Sequence, residues 1–293
     1  MSLPNRTQRV PRLFSYLQTE VDERPEPGRF ILTGSQHFRL SEAITQSLAG
    51  RVALLTLLPP SLDELGRFPN PPKDLLSTLW TGAYPRIFDQ ELDVGRWLTD
   101  YVTTYVQRDV RQLLNVTDLH AFTLFLRLAA GRTSTVKAPK LRFFDTGLVC
   151  QLLGIRDPDQ LRHHPLRGAI FESWVASEIY KARVHRGLSP DLFHLRDNKG
   201  LEVDIVVDTG PGVVGVECKA GATVASGFLD GLEAVRKLVE THHPHLNRSL
   251  RLVYGGEATQ RRPESMSYPG PACRVLNGEG NCPGGWRMAG ATQ

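Results

Sequence analysis

Within the stretch from Phe193 to Lys219, "FHLRDNKGLEVDIVVDTGPGVVGVECK", Asp204 is followed thirteen residues later by Glu217, Cys218 and Lys219. Two carboxylates and an ammonium at this spacing suit one kind of chemistry. A hard divalent cation such as Mg²⁺ takes one or two carboxylates and completes its shell with waters and phosphate oxygens. A lysine beside it orients or activates the attacking water. Three short strands are expected to position the groups: Phe193–Arg196, Glu202–Val207 and Val213–Lys219. The Gly-, Asp-, Asn- and Pro-rich links Asp197–Gly200 and Asp208–Gly212 supply tight reversals. Alternation puts Val203, Ile205 and Val207 on one face of the middle strand. In the last strand Val214, Val216 and Cys218 share one side, and Val213, Gly215, Glu217 and Lys219 the other. Asp204, Glu217 and Lys219 are thereby expected to converge. A second reading uses the same residues: charge alternates on any half-exposed antiparallel strand, with Glu217 and Lys219 as an ion pair and Asp204 a solvated neighbour.

The element before these strands is a helix over Gly168–Arg186 with Ile170, Phe171, Trp174, Val175 and Ile179 as its apolar stripe. Glu172 lies at the margin of that stripe and Glu178 inside it, where a carboxylate is costly unless paired. Lys181 or Arg183 is the expected partner of Glu178. After the strands, a helix over Gly227–Thr241 and a strand "LRLVYGG" complete an α/β unit. Glu257–Gln293, rich in Gly, Pro, Arg and Ser, reads as a flexible tail.

The 293 residues carry 35 Lys and Arg against 31 Asp and Glu, a net charge of +4. The excess is local. Arg132–Gly200 holds 12 basic against 7 acidic residues, with His163, His164, His185 and His194 among them, so a basic surface flanks the acidic strands as a phosphate backbone requires. No run approaches the length of a membrane span and no signal-peptide pattern opens the chain, so a cytoplasmic protein without a membrane partner is expected. Cys150, Cys218, Cys273 and Cys282 are too scattered for a zinc site; the first two read as buried thiols.

Towards the start, Leu13, Tyr16, Leu17 and Val21 recur at helical spacing. Two continuous apolar runs, "RFILTGSQ" and "RVALLTLL", flank a polar helix (Ser41–Ala49) and read as strands of a parallel sheet. Leu79–Phe88 reads as a turn-bearing connection in which Trp80, Tyr84 and Phe88 pack. Asp93–Leu114 reads as a helix with Trp97, Leu98, Tyr101 and Val102 on one face, and Thr117 or Asp118 caps another with Phe122, Phe125, Leu126 and Leu128. "KLRFF" reads as a strand, and "DTGLVCQLLG" as a turn and helix closed by Gly154.

Several of these pieces together resemble one family. Residues 7–66 look like the second half of the ATPase domain of prokaryotic AAA-type ATPases. "LWTGAYPRI", "WLTDYVTTYVQRDV", "PKLRFFDTGLVCQLLG", "FESWVASEIYK" and "LEVDIVVD…GVECK" resemble, in order, the domain of unknown function 4143 that follows it, and the last resembles the core of restriction-endonuclease-like nucleases. The resemblance implies a remnant of a P-loop ATPase sheet at 1–66, a helical linker at 67–131, a nuclease-like α/β domain at 132–256 and a tail at 257–293. It carries catalytic roles to Glu172, Asp204, Glu217 and Lys219, with Asp204, Glu217 and Glu172 as Mg²⁺ ligands. Nucleic acid is the implied partner, through Lys137, Lys140, Arg142 and Arg196. The sequence departs from the family in three places. It has no Gly-Lys dipeptide, hence no phosphate-binding loop; Asn5-Arg6-Thr7 stands where the Walker B acids belong; and the helices resembling a winged-helix unit are absent after "LRLAAGRT". ATP binding and hydrolysis are therefore not expected, and Ser35, Gln36 and Arg51, sensor-like in the family, revert to structural roles.

Overall fold

The Val- and Ile-rich alternation between 192 and 219 builds half of a six-stranded sheet. A computed structural model describes residues 12–33, 48, 50–53, 55–105, 118–134, 140–196, 202–223, 230–242, 247–256, 260–262 and 265–269. The chain divides between Leu57 and Leu58 into two compact units.

In the first unit, helix α1 (Arg12–Glu23) buries Leu17 and leaves Tyr16 exposed. Arg51 pairs with Asp22 at 2.5 Å, which makes it a surface ion-pair partner. The expected parallel strands do not form among the described residues beyond a single bridge at Ile31. Leu55 and Leu57 are exposed instead. An apolar run becomes a two-face-buried strand only when neighbours lie on both sides of it. Ser35, Gln36 and all of Ser41–Ala49 except Leu48 lie outside the described residues.

The second unit opens with helices α2 (Leu62–Leu65), α3 (Leu75–Thr81), α4 (Pro85–Asp89), α5 (Val94–Tyr105), α6 (Leu119–Gly131), α7 (Thr146–Leu153), α8 (Pro158–His163) and α9 (Arg167–Val184). Leu65, Ile87, Phe88 and Leu98 form a small core. Trp80 donates its indole N–H to the Ile155 carbonyl at 3.1 Å, and Tyr84 packs at a tilt against Trp97 and Tyr101; these aromatics pack, as their spacing indicates. Asp118 caps α6 by accepting from the Ala121 amide, while Phe125 and Leu128 of the same helix remain exposed.

Asp145 is the hinge of this part. It caps α7 through the Leu148 amide at 2.7 Å and takes the Ala83 amide at 2.6 Å, tying α7 to the turn between α3 and α4. Burial raises its carboxyl above the usual range even against these amides. Two glycines make the approach possible: a Cβ on Gly82 (φ 73°) would strike the Asp145 carboxylate, and one on Gly147 would lie 2.6 Å from the Thr81 carbonyl oxygen. Gly154 closes α7 in the left-handed region, φ 74°.

The 18-residue α9 packs on the sheet through Ile170, Phe171, Trp174, Val175 and Ile179, against Ile205, Val207, Val216, Cys218 and Val253. Strands β1 (Leu192–Arg196), β2 (Glu202–Asp208) and β3 (Gly212–Lys219) are successive antiparallel hairpins, at the expected positions. Helix α10 (Asp230–His242) leads to β4 (Asn247–Tyr254), which lies parallel to β3. On the other face Val203, Leu232 and Leu250 form a separate cluster. The fold of this unit is mixed α/β.

Two expectations change. Lys140–Phe143 is extended but joins no ladder; its backbone is held instead by the Ser134 amide bonding the Leu141 carbonyl, and its basic side chains are spent on carboxylates described below. The segment read as a tail contributes β5 (Gln260–Arg262) and β6 (Ser265–Pro269), giving the sheet order β1-β2-β3-β4-β6-β5. β6 lies parallel to β4 and antiparallel to β5. The available edge of β4 supplies backbone partners that a short, polar segment does not advertise.

Candidate active site

A bulge in β2 places Asp204. Phe193 of β1 pairs with Val206, but Leu195 pairs with Val203, so β2 carries one extra residue between these pairs. Alternation slips with it: Val203 packs with Leu232 and Leu250, whereas Ile205 and Val207 pack on the α9 side. Bulges commonly re-aim a side chain in this way. The Asp204 carbonyl accepts from the Arg142 guanidinium at 2.7 Å, and its Oδ2 accepts the Cys218 amide at 2.8 Å. One residue thus anchors both neighbouring segments.

Around it the charges are dense. Lys140, whose side chain is only 4% exposed, places Nζ 3.0 Å from Glu172 Oε1, 2.9 Å from Glu202 Oε1 and 3.7 Å from Asp204 Oδ1. Arg142 adds a 2.7 Å contact to the same Glu172 oxygen. Glu217 bonds Lys219 at 2.6 Å through Oε1, and its Oε2 is buried with no hydrogen-bond partner.

The carboxylates feel one another. Burial, then the charges of Asp204 and Glu172, push Glu217 up to about 7, with Lys219 opposing. Glu172 is raised by burial and by Asp204, against Lys140 and Arg142. Burial works against the charged form of Lys219, yet the hydrogen bond and charge of Glu217 outweigh it and its pKa is raised. Lys140 is likewise raised by its carboxylates in spite of burial.

Asp204, Glu172 and Lys219 line one cavity of about 610 Å³. Its lining is also basic: Arg162, His163, His164 and Arg167, from the end of α8 and the start of α9, border the same cavity. In the sequence the two histidines stand within a basic segment, and the run "RHHPLR" immediately before a helix is the signal that marks them.

Of the nucleic-acid candidates, Lys140 and Arg142 are turned inward onto the carboxylates. Arg196 pairs with Glu202 at 2.7 Å and is 37% exposed. Lys137 lies outside the described residues. Glu202, not singled out from sequence, is the third carboxylate on Lys140. Glu178 pairs with Lys181 at 2.8 Å, the structural role expected of it. Cys150 and Cys218 are buried and form no disulfide among the described residues.

The fit to Mg²⁺ is a two-carboxylate fit. Among the described residues no set of three His, Cys, Asp or Glu donors is arranged around one ion. Asp204 lines the cavity and Glu217 does not; the two carboxylates feel each other's charge, and Glu217 keeps a buried oxygen with no hydrogen-bond partner among the described residues, so these are the two donors a cation completed by waters and phosphate oxygens would use. Glu172 has its Oε1 taken by both Lys140 and Arg142 and is not grouped with Asp204 and Glu217 as a third metal ligand among the described residues.

Comparison with known proteins agrees with this order of parts. Residues 7–66 match an AAA domain, 72–136 a domain of unknown function (DUF8612), and 167–271 a domain of unknown function (DUF4143). These matches are to separate parts of the chain: its opening segment is similar to an AAA domain and the segment from α9 onward to DUF4143. The DUF4143 match starts at α9 and runs through β6, so it contains Glu172, Asp204, Glu217 and Lys219. The chain is 27% identical over 265 residues to uncharacterized proteins of Mycobacterium tuberculosis (Rv2008c) and Mycobacterium bovis (Mb2031c), a match covering 74% of this chain. It spans 58% of the length of those relatives. No helix among the described residues is long and apolar enough to cross a membrane.

Proposed function

We propose that the DUF4143 segment is a restriction-endonuclease-like domain that binds nucleic acid and hydrolyses a phosphodiester with Mg²⁺. The observation that carries this reading is the shared environment of Asp204, Glu217 and Lys219 beside a cavity with basic groups in its lining. The order α9, three antiparallel strands, α10 and a strand parallel to the third also agrees with the nuclease core that the sequence resembles. Asp204 and Glu217 would hold the cation, which supplies positive charge to the phosphoryl oxygens. Lys219, kept protonated by Glu217, places an ammonium beside the charge that builds on those oxygens and orients the attacking water. Glu172, held by Lys140 and Arg142, fixes the negative field into which the cation enters. No step is assigned to ATP hydrolysis, because the chain has no Gly-Lys dipeptide; residues 7–66 are similar to part of an AAA domain.

The test is cleavage of single- and double-stranded DNA with Mg²⁺ or Mn²⁺. Cleavage that disappears in Asp204→Ala and Lys219→Ala is expected. Intact substrate at high protein concentration with either metal would remove the nuclease reading. A second reading, a binding module without catalysis, is favoured by one observation: the Lys140 ammonium already bridges Glu172, Glu202 and Asp204, so the acidic cluster carries a built-in counter-ion.

A further inference from the structure

The cavity beside Asp204 is lined by groups of both signs. Glu172 and Asp204, with Lys219 at the end of β3, share it with Arg162, His163, His164 and Arg167. The acidic groups are internally compensated by Lys140 and Arg142. The basic groups are not matched in the same way. Among the described residues Arg162 pairs with one carboxylate, the exposed Asp159, at 3.5 Å, and its own side chain is 53% exposed. Arg167 spends one guanidinium nitrogen on the Arg162 carbonyl at 2.9 Å. His164 Nδ1 accepts the Leu166 amide at 3.2 Å, which locks the α8–α9 turn. The turn thus holds its basic side chains in a fixed frame while their charge is left to the cavity.

From this two-signed lining we infer that Arg162, His163 and Arg167 form a phosphate subsite for a single-stranded polynucleotide, gripping a phosphate next to the one presented to Asp204. The inference rests on reading the cavity as a phosphodiester site, but it concerns binding and is separable from cleavage. Its size argues for one strand: about 610 Å³ is the volume of an ordinary ligand cleft, which takes a nucleotide or two rather than the length of a duplex. Arginine suits the role because its planar fork pairs with phosphate oxygens in two places at once. Such contacts act by displacing condensed counterions, so they declare themselves in salt dependence, with a slope of about −0.7 per phosphate for single strands.

The experiment is fluorescence anisotropy with a labelled oligothymidylate of about 12 nucleotides in EDTA, over a range of salt. The proteins are the wild type, Arg162→Glu, Arg162→Ala with Arg167→Ala, and Arg162→Lys. Arg162→Glu is expected to weaken binding about tenfold or more and to lower the salt slope by about 0.7, with an unchanged melting temperature because its side chain is half exposed. Arg162→Lys keeps the slope, and the double alanine variant lowers it at least as far as Arg162→Glu. Unchanged affinity and slope in Arg162→Glu would overturn the inference even if Asp204→Ala abolishes cleavage. Conversely, wild-type binding lost in Arg162→Glu upholds it even if the wild type cleaves nothing, and only the nuclease reading falls. Tighter binding of a duplex of the same length would overturn the single-strand assignment.

Discussion

Lys140 Nζ stands 3.0 Å from Glu172 Oε1, with both side chains nearly sealed from solvent at 4% and 10% exposure. This contact sets the state of the candidate site, because the same ammonium also reaches Glu202 and Asp204. A cation entering at Asp204 meets a competitor already in place. Lys140→Gln is therefore expected to raise Mg²⁺ affinity several-fold, measured by isothermal titration. It is also expected to lower stability by about 1–3 kcal/mol, since Glu172 keeps Arg142 but loses a buried partner. An unchanged Mg²⁺ affinity would show that the lysine does not compete.

The second buried ion pair joins α9 to the chain that precedes α2. Lys181 Nζ bonds Glu178 Oε1 at 2.8 Å and the Pro60 carbonyl at 3.0 Å, and Glu178 Oε2 takes the Leu62 amide. Removing one partner strands a charge in the interior. Lys181→Met is expected to cost about 3 kcal/mol, which lowers Tm by roughly 6–12 °C for a unit of this size. Glu178→Gln combined with Lys181→Met should recover part of that loss in the same thermal melt. A double variant no better than the single one would mean that the pair is not the origin of the cost.

Asp145 combines a helix cap with a tertiary bond to the Ala83 amide. Asp145→Ala loses the cap and leaves a buried N–H without an acceptor, together about 2–4 kcal/mol in chemical denaturation. Asp145→Asn keeps an acceptor oxygen and should lose less. Gly147→Ala should be at least as damaging as Asp145→Asn, because its methyl meets the Thr81 backbone rather than a movable side chain.

Much of this arrangement was legible in the sequence. Strands β1 to β3, the stripe of α9, the Gly154 stop and the Glu178–Lys181 pair follow from periodicity, turn residues and the cost of a buried carboxylate. What could not be read was the slip in β2. Strict alternation gives Val203 the same face as Ile205, yet the extra residue moves it to the α10 side, and a register defect leaves no mark in side-chain pattern alone. Nor did composition reveal where Lys140 and Arg142 point. A basic residue before a core helix reads equally as a surface ligand for phosphate or as an internal counter-ion, and here burial among carboxylates selects the second. The basic lining of the cavity was hidden for a related reason: Arg162 and Arg167 belong to different helices, and only the turn between them brings both to one cavity.

Glu217 carries the sharpest pH signature. Its folded pKa is about 7, pushed up by burial and by Asp204, from an ordinary carboxylate value in the unfolded chain. Between those two values the folded state holds a proton that the unfolded state has released, so stability falls as pH rises. The contribution is fully present below the unfolded value and lost once pH passes about 7. Glu217→Gln cannot ionise and should decline less than the wild type across that window; each kcal/mol of difference corresponds to about 2–4 °C. A divalent cation reverses the trend, because it binds only after the proton has left. With Mg²⁺ present the wild-type melting temperature is expected to fall less, or to rise, above pH 7, and the Gln variant to show no Mg²⁺ response. Parallel melting curves for the two proteins from pH 5 to 8, with and without Mg²⁺, would contradict both the raised proton affinity of Glu217 and its place in a cation site.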